Sequence, residues 1–520
     1  MKFHFQYILE SNWSPLAWVA ECSESRPVIN VRHGPSVEIR DAWFCEAVWD
    51  GEFDAGDFDR TDLIFGSGGR LRDGRVVFVS SGSTVDRLQF LRLDGRLLVS
   101  NSLACLLAVS KFEVDPTYQQ YPEFFRSIVN GIGSYEKRLP TQSGSVELVY
   151  FRNLAWDGHL HSEEDKPAPQ RDFSCFSRYQ NFLRSSLKKI ADNMRTPARG
   201  HSYEMVSGLS SGYDSNTVAV LAHEVGLRRA FSFRLARGGS EDHGQEVARI
   251  LGLDLTMFER GDWRRQALAE VPYFAATGLG PDVIFSAAQE MLRGQVLITG
   301  FHGDKVWAKD TTTVGPDVVR LDASGLSFTE HRLVLGCIHL PVAFMGVRQI
   351  REINALSNAP EMAPWDVPGE YSRPICRRIV EESGVPRASF GMSKKAATNL
   401  FRQGEALLSD ETRADYYRWL LQNEERWRAY EATKPKVPGS AFLALQDCSS
   451  RLGEAFRRFN RFLPPKVGSG LVHKSAAMER WFNRRSNLVQ YLFPWAIEQM
   501  ERLYLQTSDG HSDEPGVGRA

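Results

Sequence analysis

Short runs of alternating apolar and polar residues fill the first third of the chain. Arg75-Val-Val-Phe-Val79 and Arg96-Leu-Leu-Val-Ser100 lie among turn signals at Arg72-Asp-Gly74, Ser81-Gly82 and Leu93-Asp-Gly95. A period of two between Gly-containing turns predicts strands. Strands this short and this regularly punctuated predict a sandwich or layered sheet over residues 1–165. A polar, Pro-containing stretch from Ser162 to Arg171 is the expected boundary.

Beyond the boundary the period changes. Phe173 to Met194 reads as an amphipathic helix. Glu204-Met-Val-Ser-Gly208 reads as a strand running into a Gly/Ser turn, and Asn216 to Val225 as a helix. Ala230-Phe-Ser-Phe-Arg234 is strand-like, Gln245 to Leu251 helical, and Gln295-Val-Leu-Ile-Thr299 again a strand. Strands alternating with helices imply a parallel sheet with crossover helices, in which ligands sit beyond the carboxyl ends of the strands. From about Glu405 the pattern is helical and rich in Trp and Arg, and Ser508 to Ala520 reads as a small, polar, disordered tail. The expected division is 1–165, 172–480 and a C-terminal helix with tail at 481–520. There is no internal repeat.

Composition adds few constraints. At 520 residues the chain exceeds one ordinary core, and 42% apolar residues suffice for globular folding. A net charge of −1 gives no reason to expect nucleic acid or an anionic membrane as partner. Basic residues alternate with aromatics from Arg451 to Arg485, which predicts an amphipathic helix with a solvated basic face, ahead of the sharper reading as a docking surface for an acidic partner. Seven cysteines at irregular spacing, without CxxC, argue against a disulfide framework and structural zinc. Met1 to Pro15 does not read as a signal peptide. No apolar run reaches the roughly 20 residues that span a bilayer. A cytoplasmic location is expected.

The candidate chemistry lies in Leu209-Ser-Ser-Gly-Tyr-Asp-Ser215, between a strand and a helix. Small residues let backbone approach oxyanions, and the helix start offers free N–H groups and the positive end of its dipole. Ser210, Ser211 and Ser215 add hydroxyl donors. Asp214 beside bare phosphate would be repelled, but it makes sense as a ligand of Mg²⁺ bridging carboxylate and phosphate. A plain turn with an N-cap accounts for the same residues almost as well when the heptad is taken alone.

The heptad resembles the SGGxDS pyrophosphate loop of the PP-loop ATP pyrophosphatases, asparagine synthetase in particular. Ser211 stands where the pattern has its first Gly. Three further stretches match in order. Phe231-Ser-Phe233 resembles the next strand of the family, and Asp242 to Gly252 the helix after it. Ile298-Thr-Gly-Phe-His-Gly-Asp-Lys-Val-Trp307 resembles the TGxGGDELF segment. The resemblance covers roughly residues 200–310. It implies an α/β synthetase domain of adenine nucleotide α-hydrolase type. Ser210, Ser211, Gly212, Asp214, Ser215 and Gly300 would then contact nucleotide, with adenine near the Phe233 backbone. Asp214 and Asp304 would hold Mg²⁺. Lys305 replaces the usual Glu and His302 a Gly, so a charge is inverted near the reacting centre. Ser389 to Ala397 resembles the family's late basic loop, which makes Lys394 or Lys395 the lysine at the acyl-adenylate; two exposed surface lysines are the plainer reading. Arg373, Arg377 and Arg378 could meet an anionic substrate, with a solvated helical face the safer expectation.

Residues 1–165 carry a fainter resemblance to the glutaminase domain of the same family. It rests on Asp86-Arg87, Gly95 to Asn101, Leu103 to Leu107 and Tyr135 to Pro140. That domain needs a cysteine directly after the initiator methionine, where the chain has Lys2; its first cysteine is Cys22. The expectation is a degenerate glutaminase-like (Ntn-hydrolase-like) shell that does not hydrolyse glutamine, as in β-lactam synthetase. The implied activity is an ATP- and Mg²⁺-dependent amide-forming ligase, acting on a small-molecule or peptide carboxylate and an amine donor. Neither nucleic acid nor membrane is expected as partner, and a homodimer is allowed. Two alternatives stay open: adenylation of a non-carboxylate oxygen, and a non-catalytic nucleotide-binding or scaffold protein.

Overall fold

The computed structural model describes residues 2–391 apart from 25, 116–117, 119, 237–240, 311, 321 and 369–370, then 408–423, scattered positions between 441 and 478, and 491–505. Lys394, Lys395, the tail from Ser508 and nearly all of the stretch from Arg451 to Arg485 lie outside the described residues.

Residues 4–164 form two sheets. The strands are β1 (His4–Leu9), β2 (Trp18–Ser23), β3 (Val28–His33), β4 (Glu38–Arg40), β5 (Trp43–Trp49), β6 (Ile64–Arg72) and β7 (Arg75–Val79). They continue as β8 (Leu88–Leu93), β9 (Arg96–Ser100), β10 (Arg138–Thr141), β11 (Gly144–Val149), β12 (Asn153–Trp156) and β13 (His161–Glu164). One sheet runs β1-β3-β2-β9-β8-β11-β10, the other β13-β12-β7-β6-β5-β4. Alternation explains the layering. Val76 and Phe78 of β7 face Trp18, Ala20, Phe90 and Val99 of the first sheet across a shared core. Val77 and Val79 point the other way, into a second cluster with Trp43, Cys45 and Trp49. The β6–β7 and β8–β9 hairpins turn at Asp73-Gly74 and Asp94-Gly95, all four with positive φ between 49° and 76°. Turns with two left-handed residues match strand twist, which is why Asp-Gly stands there.

The second region is built on five parallel strands. These are β14 (Met205–Leu209), β15 (Arg229–Phe233), β16 (Asp254–Phe258), β17 (Val296–Thr299) and β18 (Ile338–Pro341), in the order β16-β15-β14-β17-β18. The chain moves outward from β14 to one side, then returns to β17 on the other. The order therefore reverses between β14 and β17, which pair Met205 with Val296 and Ser207 with Ile298. At such a reversal the loops that leave the carboxyl ends of the two adjacent strands run on to opposite sides of a parallel sheet, the usual place for a ligand in sheets of this kind. The helix after β14 spans Tyr213–His223. It starts three residues before its apolar pattern does, because Asp214 sits in its first turn, where a carboxylate complements the dipole.

Buried charges tie the two regions together. Arg332 donates from Nη1 to Glu46 Oε2 at 2.7 Å and from Nε to Asp86 Oδ1 at 2.8 Å. Glu330 accepts from the Leu103 amide at 2.9 Å and the Ser102 hydroxyl at 2.8 Å. A C-terminal helix, Leu492–Leu505, lies against helices Leu103–Ser110 and Val271–Thr277. Phe493 stacks on Tyr121 at 4.3 Å and Tyr504 bonds Ser14 at 3.0 Å. Among the described residues no helix is long and apolar enough to cross a membrane.

Candidate nucleotide site at the reversal of strand order

The heptad Leu209–Ser215 leaves β14 at this reversal. Leu209 closes the strand, Gly212 caps the helix in extended conformation (φ −81°, ψ 177°), and Asp214 and Ser215 lie in the helix's first turn. Gly212 offers no side chain to cap the helix, so nothing of its own covers the first-turn amides. The loop is braced from inside. Asn216 donates from Nδ2 to the carbonyls of Ser210 (3.0 Å) and Gly212 (2.7 Å). Ser210 Oγ accepts from the Gly212 amide at 3.1 Å and shares a 2.8 Å bond with Ser215 Oγ. Ser210, Ser211, Gly212, Asp214 and Ser215 are all half-exposed, as a ligand-binding loop requires.

Two neighbouring segments close around this loop. Ser232, buried in β15, accepts from the Gly244 amide at 3.2 Å and donates to the Leu209 carbonyl at 2.9 Å. A Cβ on Gly244 would stand 2.6 Å from Leu209 Cβ, so only glycine permits the contact. On the other side, the turn after β17 lies against Asp214. A Cβ on Gly300 would come within 2.6 Å of the Asp214 backbone carbon, and one on Gly303 within 2.8 Å of Asp214 Oδ1. These two glycines bring the turn that carries Asp304 onto the side chain of Asp214. The structure thus gathers Ser210, Ser211, Gly212, Asp214, Ser215, Gly300 and Asp304 at the ends of two adjacent strands. Phe233 ends β15, the next strand, with its ring among Phe231 and Phe258.

Three other expected residues sit differently. Lys305 is buried, its ammonium donating to Thr313 Oγ1 at 3.0 Å and pairing with Asp310 at 3.5 Å. Arg373 and Arg377 do not form a solvated face. Both are buried, Arg373 in an ion pair with Asp214 and Arg377 donating to the Tyr213 hydroxyl at 2.5 Å. Burial works against the Arg373 charge, but the Asp214 carboxylate outweighs it and holds the guanidinium above its ordinary pKa. Arg378 alone of the three stays near solvent, pairing with Glu361 and Glu382 and lying over Phe176 and Trp365. The apolar stripe of helix Pro374–Glu382 explains the correction: Ile375, Cys376, Ile379 and Val380 are buried, and Arg377 shares their side.

Lys394 and Lys395 lie outside the described residues. The Gly391 amide donates to the Ser211 carbonyl at 2.8 Å, and Gly391 packs on the Tyr213 ring so closely that a Cβ would meet it at 2.4 Å.

Sequence reasoning missed Asp242. Buried, it accepts from the Ser211 amide at 3.1 Å and the Ser211 hydroxyl at 2.7 Å. The extra hydroxyl at this position is therefore satisfied inside the protein. A signal existed, since a serine in a glycine's place with a carboxylate at the next strand–helix junction suggests a pair, but only folding shows which carboxylate. Sequence reasoning also missed Arg320. It is buried with Nε and Nη1 unmatched among the described residues, and it lies over Phe344 on whose ring His302 stacks at 5.0 Å. Burial, with the positive charges of Arg320 and Lys305, holds His302 neutral.

The donors suit a hard cation. Magnesium is held through one or two carboxylates, with nucleotide phosphates and water completing the octahedron. Asp214, with the turn of Asp304 against it, is where such a cation could be held; among the described residues no group of three or more His, Cys, Asp or Glu is gathered for one. No known protein-family model matches the chain, and no curated protein matches it significantly.

Proposed function

We propose that this protein is an ATP-dependent ligase of the PP-loop type that adenylates a substrate carboxylate and passes the acyl group to an amine. The observation that carries this reading is the half-exposed loop Ser210–Ser215, set at the strand-order reversal with Asp214 pressed against the turn of Gly300, Gly303 and Asp304. It rests also on the resemblance in sequence, which includes the same residues.

In this reading the first-turn amides of helix Tyr213–His223, with Ser210 and Ser215, grip the β- and γ-phosphates, which leaves the α-phosphorus open to attack. Asp214 and Asp304 would hold Mg²⁺, which would supply positive charge against the phosphates. A substrate carboxylate oxygen attacks the α-phosphorus and pyrophosphate leaves. An amine then attacks the acyl carbon, AMP departs and the amine gives up a proton. Adenylation matters because carboxylate is a poor electrophile, while its mixed anhydride is neutral at carbon and has a good leaving group. Lys394 or Lys395 would stabilise negative charge on the departing phosphate. Lys305, held by Asp310, would act on the charge of the site from one side.

Incubation with ATP, Mg²⁺ and a panel of carboxylates and amines should release AMP and pyrophosphate. ADP as the main product would overturn the reading. A second reading, nucleotide binding without turnover, draws support from the internal pairs Ser211–Asp242 and Asp214–Arg373, which occupy groups the chemistry needs. It predicts stoichiometric ATP binding and no AMP with any acceptor.

A further inference from the structure

We propose that Arg373 is the phosphate-binding cation of this site. It is paired with Asp214 in the structure and passes to the terminal phosphates of the nucleotide when a divalent cation takes the Asp214 carboxylate. The inference rests on the nucleotide-binding reading above and adds to it a residue and an exchange.

Charge has to stay balanced in so buried a place. The Arg373 side chain is 7% exposed and that of Asp214 27%, and among the described residues no other carboxylate pairs with Arg373. The guanidinium also lies over the rings of Tyr371 at 5.4 Å and Tyr213 at 6.0 Å, which remain as its walls whatever Asp214 binds. A cation this deeply buried without an anion is strongly disfavoured. Whatever draws the carboxylate away must therefore bring another anion to Arg373. A nucleotide phosphate does so, and its oxygens suit the planar fork of a guanidinium better than an ammonium.

Position favours the exchange. Asp214 lies in the first turn of the helix that follows the loop, and Arg373 opens helix Pro374–Glu382. Arg377 of that second helix donates to the hydroxyl of Tyr213, the loop residue next to Asp214. The guanidinium is thereby anchored beside the loop. Metal alone must compete with Arg373 for Asp214, and nucleotide alone must compete with Asp214 for Arg373. Together the two ligands satisfy both groups, so each should bind poorly alone and well with the other, by the reciprocity that linkage requires.

Calorimetric titrations of the full chain with Mn²⁺ alone, ATP in EDTA, and ATP with Mg²⁺ test this in the wild type, Arg373→Gln, Arg373→Lys and Asp214→Asn. In Arg373→Gln, Mn²⁺ should bind more tightly and Mg²⁺–ATP more weakly, each on the order of tenfold. Arg373→Lys should recover part of the nucleotide affinity. Asp214→Asn should bind metal-free ATP more tightly than the wild type, because it frees the guanidinium. A purely structural role would weaken both ligands together, and that outcome overturns the proposal. So does metal-free ATP binding in Asp214→Asn no tighter than in the wild type. Wild-type protein that fails to bind ATP with Mg²⁺ overturns the nucleotide reading itself, whereas wild-type binding that Arg373→Gln leaves unaltered overturns only the role of Arg373.

Discussion

Single residues decide the chemistry proposed for the site. Asp214→Asn and Asp304→Asn should each lower AMP formation by about 100-fold or more, because an amide is a neutral and poorer ligand for a hard cation. A near-normal rate in either variant would remove that aspartate from the metal. Buried histidines decide the acid limit of stability. His339 is fully buried, bonded to Thr299 at 2.8 Å, and burial lowers its pKa to about 4. Below pH 6.5 the unfolded chain takes up a proton there that the native state refuses. Stability is therefore lost as pH falls from about 6.5 to 4, on the order of 3 kcal/mol at full effect. Asp282 opposes it. Burial raises its pKa to about 6, so its contribution is complete below about pH 4 and is lost as pH rises through 6. Unfolding free energies measured from pH 4 to 7 should slope less steeply upward with pH in His339→Gln and more steeply upward in Asp282→Asn. Parallel profiles in all three proteins would show that neither group sets the slope.

Elements show where local signals suffice. Gly74 has a φ of 76° and nothing within 4 Å of the position a Cβ would take. Gly74→Ala should thus cost about 1 kcal/mol through left-handed strain alone, read as a lower urea midpoint with an unchanged slope. Gly300 tests the opposite limit. It needs no special φ, but Gly300→Ala would drive a methyl into the Asp214 backbone, costing about 1–3 kcal/mol from overpacking and displacing the aspartate. Loss of activity should exceed loss of stability there. The strands β7, β9, β14, β15 and β17 were legible because alternation or an apolar run is bounded by turn residues. Helix Gln245–Leu251 was legible to its last residue. The start of helix Tyr213–His223 was not, because Tyr213, Asp214 and Ser215 have indifferent helix propensity and are set by the cap and the dipole.

At the scale of the molecule, buried ion pairs join the two regions. Arg332 is 1% exposed, between Glu46 and Asp86, and Arg332→Ala would strand both carboxylates in the interior. The expected cost is about 3–5 kcal/mol in urea unfolding, whereas Arg378→Ala, at the surface, should stay within about 1 kcal/mol. Equal losses would mean that the Glu46–Arg332–Asp86 network does not hold the regions together. Burial also sorts the cysteines. Cys22, Cys45, Cys105, Cys337 and Cys376 are buried with thiol pKa values raised by desolvation, while Cys175 and Cys448 are accessible. A thiol reagent should label two groups quickly and five more only on unfolding.

What the sequence determined by itself is local in origin. Asp-Gly turns and period-two and helical periodicities each depend on residues a few positions apart, and so does the Ser/Gly/Asp loop between strand and helix. The tertiary structure decided everything that joins distant segments. The order β16-β15-β14-β17-β18 placed the loop of Asp214 beside the turn of Asp304, and it brought Asp242 to Ser211 and Arg373 to Asp214 across 31 and 159 positions of sequence. An arginine on a helix reads as solvated because most are. The apolar stripe of its helix says which face turns inward, but which carboxylate waits there is set by a distant segment, and no local pattern encodes that.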